Sequence, residues 1–290
     1  MKTVGMDIGG TQVRAAVFDE NGLLLDKYII PNDHKIGAAG NMDKLIDFVM
    51  SKGYEYRGIG IGCPGPINIR LGKIINPPNL VGWDHFEIAR YVEEKTNIKT
   101  VLNNDANVAG LAEAMLGAGK GYESVFFFTV STGVGGAYIY QGKLVNGANS
   151  TAAEIYNLIV NEDSYSHRGV NPGSLNEQCS GSALGRIASE KYGREVDGAE
   201  LFRLFYEHDK TAVEIIERAV DNFAKGIGNV ACTVDPDIFI VGGSVCTHNP
   251  QFVEMIRERA KKYVIYPQFL RIADAKFSDE AGLVGAALLV

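Results

Sequence analysis

The sequence contains no GxxxxGK[ST] loop, which excludes a P-loop nucleotide site. No apolar run reaches the roughly 20 residues that a membrane-spanning helix needs. No basic segment with a cleavage site opens the chain, so a signal peptide is not expected. Positive charge is in deficit: the net charge is −7 and the pI near 5.3, which argues against nucleic acid as the main partner. Cysteine is sparse. Cys63, Cys179, Cys232 and Cys246 stand far apart without a CxxC pair, which fits free thiols in a reducing cytoplasm. The five histidines, His34, His85, His167, His208 and His248, show no HExxH or other ligand spacing. Trp83 is the one tryptophan and reads as a packing residue of its loop.

What remains is ordinary globular composition, with 46% hydrophobic and 22% charged residues. At 290 residues the chain is long for one domain, so two are expected. The stretch DIGGT, Asp7 to Thr11, lies between the strands MKTVGM and VRAAVFD. Adjacent glycines in such a turn let backbone N–H groups point at an anion. Thr11 adds a hydroxyl, Arg14 a positive charge, and Asp7 a carboxylate able to hold a metal beside a polyphosphate. An ordinary Gly-Gly hairpin is the competing reading. The plan recurs about 120 residues later in SVFFFTVSTGVGGAYIYQGKLV, whose turn carries Thr132-Gly133 and Gly135-Gly136. Two similar α/β halves facing one cleft are therefore expected.

Between these units a helix is expected over 42–50 and a strand over 57–62. Asp84, with Glu87 three residues on, predicts a capped helix to about Lys95. KTVLNN then forms a strand that ends at Asp105, followed directly by a helix. After a region without clear periodicity to about Asn176, helices are expected near 182–191, 199–207, 210–233 and 251–263. DIFIVGGSV interrupts them as a buried strand, and a last helix starts near Asp279. Strands alternating with helices mean an α/β fold. Gly60-Ile-Gly62-Cys-Pro-Gly65 matches GxGxxG in letters, but Pro64 and Pro66 are incompatible with the helix that a dinucleotide site requires.

Asp105 is the catalytic candidate. It stands at a strand's carboxyl end, where open α/β sheets place ligands. A carboxylate there can take a proton from a hydroxyl that attacks phosphorus. The alternative is that Asp105 is only the helix N-cap.

DIGGT, CPGPIN, NPPNLVGW, NNDAN, STGVGG, SGSALGR, IVGGSV and DEAGLVGAALL together resemble the ROK family of sugar kinases, in order and over nearly the whole chain. The resemblance implies an actin-like ATPase (ribonuclease H-like) fold with two α/β domains around a cleft. The expected division is 1–115 completed by 278–290, and 116–277. It implies transfer of the ATP γ-phosphate to a sugar hydroxyl, with Mg²⁺, in a cytoplasmic homodimer. By resemblance Gly9, Gly10 and Thr11 form a first phosphate loop, Thr132, Gly133, Gly135 and Gly136 a second, and Gly242 and Gly243 lie by the adenosine. Asp105 is the general base, Asn104 a sugar contact, and Gly65 and Asn79 line the sugar pocket. Asp7 lies near the Mg²⁺, directly or through water. Because DIGGT begins at residue 7, the helix-turn-helix of the family's repressors is not expected.

Departures from the family bear on the substrate. Glucokinase-like members read GEIGH where this chain has Ala153-Glu154-Ile155-Tyr156-Asn157, so Glu154 is kept and Asn157 replaces the histidine. The zinc-site cysteines are absent, since SHRGVNPGSLNEQCSG contains only Cys179, and His167 alone cannot build such a site, so no structural zinc is expected. Asn176 falls at a family glutamate, with Glu177 one residue later. Both family groups hold the sugar near its anomeric end, so their loss points to a β-glucoside phosphorylated on its 6-hydroxyl, or to an unusual hexokinase. Glucokinase and N-acetylmannosamine kinase are the alternatives. A catalytically silent sugar-binding regulator on the same fold is the non-enzymatic one. An acetate-kinase-like acyl phosphotransferase is disfavoured by the sugar-loop resemblance.

Overall fold

The structure is a computed structural model that describes residues 1–167 and 169–290. The chain forms two compact units, Met1–Gly117 with Gly142–Ala152 and Phe277–Val290, and Ala118–Gln141 with Ala153–Lys276.

In the first unit, β1 (Lys2–Ile8), β2 (Gln12–Phe18), β3 (Leu24–Pro31), β4 (Tyr56–Cys63) and β7 (Thr100–Asn104) form a sheet in the order β3-β2-β1-β4-β7. The first three strands are an antiparallel meander, while β4 and β7 run parallel to β1. The small pair β5 (Ile67–Asn68) and β6 (Lys73–Ile74) lies in the loop after β4. β3 was not anticipated; it is an edge strand with alternate residues exposed, so burial writes only a faint pattern into it.

Side-chain alternation builds two faces. Val4, Met6 and Ile8 of β1 and Ile59, Ile61 and Cys63 of β4 enter the core that also holds α1 (Gly37–Met50) and α2 (Ile88–Thr96). The opposite face carries Gly5, Gly58, Gly60 and Gly62, and the C-terminal helix (Ala281–Ala287) lies on it. A Cβ on Gly60 would stand 1.8 Å from the Ala286 carbonyl oxygen, and one on Gly5 2.0 Å from that of Leu283. The GxG letters in β4 are thus the floor for a helix, not a nucleotide fingerprint.

Two sequence expectations fail here. The helix expected from Asp84 begins only at Ile88, after Glu87, whose side chain makes no cap. His85 is left-handed (φ 57°), and Ile74 N–H bonds the Phe86 carbonyl at 2.9 Å, so this stretch follows β6 before it can coil. Asp105 is not the cap of α3 (Asp105–Met115); Asn104 is, its Oδ1 accepting from Ala106 N–H at 2.9 Å.

In the second unit β8 (Ser124–Val130), β9 (Val134–Tyr140), β11 (Ile238–Gly242) and β12 (Ile272–Asp274) run in the order β9-β8-β11-β12. β8 and β9 are antiparallel, and β11 and β12 parallel to β8. This repeats β2-β1-β4-β7, so the internal echo is a repeated topology, the ribonuclease H-like arrangement expected from the sequence. After β9 the chain passes through β10 (Lys143–Leu144) in the segment Gly142–Ala152, which belongs to the first unit and not, as the sequence division had it, to the second. Its anchor is Asn146, whose Oδ1 accepts from Asn103 Nδ2 at 3.1 Å. The helices of the second unit are α4 (Leu175–Cys179), α5 (Gly181–Tyr192), α6 (Gly198–Tyr206), α7 (Lys210–Val234), α8 (Ser244–His248) and α9 (Pro250–Ala260). Its core centres on Phe128, whose ring lies tilted 5.2 Å from that of Phe223 of α7.

Candidate active site

Strand register decides what meets at the carboxyl end of the first sheet. Asp7 pairs across to Gly62, and Cys63 to Asn104, so the ends of β1, β4 and β7 bring Asp7, Cys63 and Asp105 together. Burial pushes the Cys63 thiol well above its usual range, and the charges of Asp105 and Asp7 add to this. The thiol therefore stays protonated and is no nucleophile. Asp7 faces Arg14 across the β1–β2 pair, and both Arg14 Nε (3.0 Å) and Nη2 bind its Oδ2, leaving Oδ1. Arg14 Nη1 also bonds the Asp279 carbonyl at 2.9 Å, which ties the C-terminal segment to the site. The charge that the sequence offered to an anion is thus already committed to Asp7.

Asp105 follows the last residue of β7. The junction is fixed by Asn103, buried, whose Oδ1 accepts from Asn104 N–H and Asn107 Nδ2, both at 2.8 Å. The Asp105 carboxylate reaches solvent, yet protein atoms crowd it and raise its pKa above the ordinary aspartate value. The Ala106 N–H opposes that rise, and the Asp7 charge supports it. Desolvation here is that of a recessed group, not a sealed one. Among the described residues no Lys or Arg pairs with it. The result is an aspartate tuned toward accepting a proton. Asn104 also faces Gly65, where a Cβ would lie 3.5 Å from Asn104 Nδ2.

The first glycine turn is closed by Gly9 N–H to the Gln12 carbonyl (2.9 Å) and leaves Thr11 exposed. Gly10 must be glycine: a Cβ would stand 2.7 Å from the Asn79 carbonyl oxygen. The sequence reading missed what holds this turn. Asn32 Nδ2 donates to the Gly9 carbonyl at 2.9 Å, and its Oδ1 accepts from Asn41 Nδ2 and Trp83 Nε1, both at 3.2 Å. Trp83 is thus more than packing. An asparagine has no periodicity to betray it; the one signal was a tryptophan in a loop otherwise short of core residues.

In the second unit, Ser131 N–H to the Gly133 carbonyl (2.8 Å) closes the turn, and Thr132 and Gly133 are exposed. Asn176 lies against it, its Oδ1 accepting from Val134 N–H at 3.1 Å, with its Nδ2 on Glu177. Glu177 itself is buried, within 4.0 Å of Arg186. Gly136 backs onto Ala153 and Ile155, which brackets Glu154 beside the turn. Asn157 stands apart: its Oδ1 accepts from Asn171 N–H at 2.6 Å and holds a loop. Gly242 ends β11. Gly243 is left-handed (φ 88°), with the Val130 backbone 2.4 Å from any Cβ, and Ser244 N–H bonds Ser131 Oγ at 3.1 Å. Beside it opens a cavity of about 640 Å³ whose lining includes Leu184, Phe202, Tyr206, Val245 and His248. It shares Gly181 and Ser244 with the recess that includes Ser131 and Thr132.

The sequence model of the ROK family matches residues 3–290. The chain is similar to a ROK hexokinase from Thermus thermophilus, with 34% identity and a TM-score of 0.93, over 99% of this chain and 97% of that one. It is similar to a ROK glucokinase from Streptomyces griseus solved with glucose and AMPPNP, with 27% identity, a TM-score of 0.78, and 100% and 99% coverage. It is 27% identical to a beta-glucoside kinase of Listeria monocytogenes over 99% of this chain and 96% of that one.

Proposed function

The chain belongs to the ROK family, and on that premise we propose that it is an ATP-dependent sugar kinase with Asp105 as general base. The observation that carries the reading is the junction of β7 and α3. Asn104 already caps the helix, so capping does not explain Asp105, which has a raised pKa and no Lys or Arg partner among the described residues. In the reaction Asp105 accepts the proton of a sugar hydroxyl as that oxygen bonds the γ-phosphorus, and the bond from phosphorus to the leaving ADP oxygen breaks. General-base assistance of this kind is worth about 10²–10⁴-fold, and positioning supplies much of the rest.

Roles follow from what each group exposes. Gly9, Gly10 and Thr11 present backbone N–H groups and a hydroxyl to phosphate oxygens. Thr132, Gly133, Gly135 and Gly136 do the same in the second unit. Gly242 and Gly243 lead into Ser244, which lines the 640 Å³ cavity, and the size and aromatic lining of that cavity suit adenosine. Gly65, Asn79 and the Nδ2 of Asn104 are the sugar contacts of the first unit, and Glu154 is the candidate sugar contact of the second.

Mg²⁺ fits the donor set. This ion takes one or two carboxylates beside substrate phosphates, and Asp7 keeps Oδ1 clear of Arg14. When bound it would neutralise charge on the phosphate oxygens, with Asp7 holding it directly or through water. We also expect a cytoplasmic homodimer that does not use nucleic acid, the dimer to be checked by sedimentation.

The acceptor is the 6-hydroxyl of a hexose or β-glucoside. Both asparagines of the anomeric-pocket argument have their Oδ1 on a backbone N–H, Asn176 on Val134 and Asn157 on Asn171, so neither stands in for the other. The variant that tests it is Asn157→His with Asn176→Glu. If it leaves the preference between glucose and cellobiose unchanged, that argument fails. The function itself is tested by ADP release with ATP and Mg²⁺ on glucose, mannose, fructose, the N-acetylhexosamines, cellobiose, gentiobiose and salicin. Turnover on any of them supports the kinase. A folded protein that binds ATP and turns over none would be the silent regulator instead.

A further inference from the structure

We propose that Trp83 and Asn32 are positioning residues that couple the sugar loop to the first phosphate turn, so that a sugar on the loop tightens binding of the nucleotide phosphates. The proposal rests on the kinase reading and deepens it. Residues 77–83 form two successive turns, with Leu80 N–H on the Pro77 carbonyl (3.1 Å) and Trp83 N–H on that of Leu80 (3.3 Å). The loop reaches the glycine turn at two separate points. One is the Asn79 carbonyl against Gly10. The other is the indole N–H of Trp83, fully buried, acting through Asn32 on the Gly9 carbonyl.

Peptide geometry makes the second contact matter. In a trans peptide the C=O of one residue and the N–H of the next point in opposite directions within one plane. Holding the Gly9 carbonyl therefore aims the Gly10 N–H the other way. Among the described residues no protein group accepts from that N–H. Asn32 N–H likewise bonds the Thr11 carbonyl at 2.9 Å, fixing the next stretch of the turn. Every link is a hydrogen bond of 2.9–3.3 Å, and those of Trp83 and Asn41 to Asn32 are buried, so a shift of the loop turns the donor meant for phosphate. Asn41 secures the far side, with Nδ2 also on the Asp33 and Gly37 carbonyls at 2.9 and 2.8 Å.

The test is AMPPNP binding by calorimetry, without sugar and with saturating glucose or cellobiose, in three proteins. These are the wild type, Trp83→Phe, which keeps a ring and removes the N–H, and Asn32→Leu, which keeps the volume. Circular dichroism checks folding. The wild type should bind AMPPNP about tenfold tighter with sugar, within the usual range of coupling between sites. Both variants should bring that ratio to within about twofold of one, with KM for ATP raised more than kcat is lowered. Trp83, the sole tryptophan, also reports loop occupancy by its own fluorescence in the wild type. A wild-type ratio of one, or the wild-type ratio retained in both variants, overturns the coupling and leaves the kinase standing. A wild type that neither binds these sugars nor releases ADP overturns the kinase reading itself and the coupling with it.

Discussion

The two units share a topology and differ in what stands at the ends of their strands. In the first, β1 ends near Asp7 and β7 runs into Asp105, a carboxylate with a raised pKa and, among the described residues, no Lys or Arg partner. In the second, β8 ends in Val130 and Ser131. β12, which stands in its sheet as β7 does in the first, ends in Asp274, paired to Arg257 at 2.6 Å. β4 ends in a buried thiol and β11 in Gly242, with Gly243 next. One copy of the fold thus carries acids suited to proton transfer and metal binding. The other carries hydroxyls, backbone N–H groups and a cavity suited to holding a nucleotide. Scaffold and chemistry separate: the same sheet order serves both, and a few terminal residues decide the task.

The largest effect should come from exchanging an aspartate at each of these two ends. Asp105→Asn should lower kcat by about 10²–10⁴-fold, whereas Asp274→Asn should leave turnover unchanged; steady-state ADP release reads both. The thermal result has a definite sign. A raised carboxyl pKa means that the folded state binds the proton more tightly than the unfolded chain. That favours folding below the unfolded value and is lost as pH rises through the folded one. Above the folded value the ionised Asp105 therefore opposes folding, and there Asp105→Asn should not lower Tm and should raise it slightly by calorimetry.

Next is Gly10→Ala. Its Cβ would meet the Asn79 carbonyl at 2.7 Å, so the turn must move. Misplacing a phosphate turn by ~1 Å costs about 10²-fold in kcat/KM. If the variant keeps wild-type kinetics, the first turn does not bind phosphate.

Smaller still is Asn104→Ala, which removes the cap of α3 and should cost about 1 kcal/mol in urea melts. Asp274→Asn closes the series. Its pair with Arg257 is exposed on the aspartate side and should be worth ~0–1 kcal/mol.

How much of this was legible is clear from particular residues. DIGGT and STGVGG could be read because a glycine turn between apolar strands is a local pattern. Asp105 could be placed because the end of a strand and the start of a helix meet in adjacent letters. The start of α2 could not be placed, because Asp84 and Glu87 imitate a capping box while the chain still follows β6, a pairing that no local pattern reveals. Asn32, Asn41 and Asn103 were invisible as positioning groups, since each acts through contacts made only on folding. Asn157 and Asn176 were assigned from the motifs around them, and the structure adds what motifs cannot: their side-chain carbonyls are already taken by backbone N–H groups of their own unit.

The central claim, that Asp105 accepts the proton, is tested most directly by the pH dependence of kcat/KM on the best sugar of the panel, in wild type and in Asp105→Asn. The account predicts an acid limb in the wild type with an inflection above the ordinary aspartate value, and the loss of that limb in the residual activity of the variant. The same limb persisting in Asp105→Asn, or turnover near that of the wild type, would contradict it.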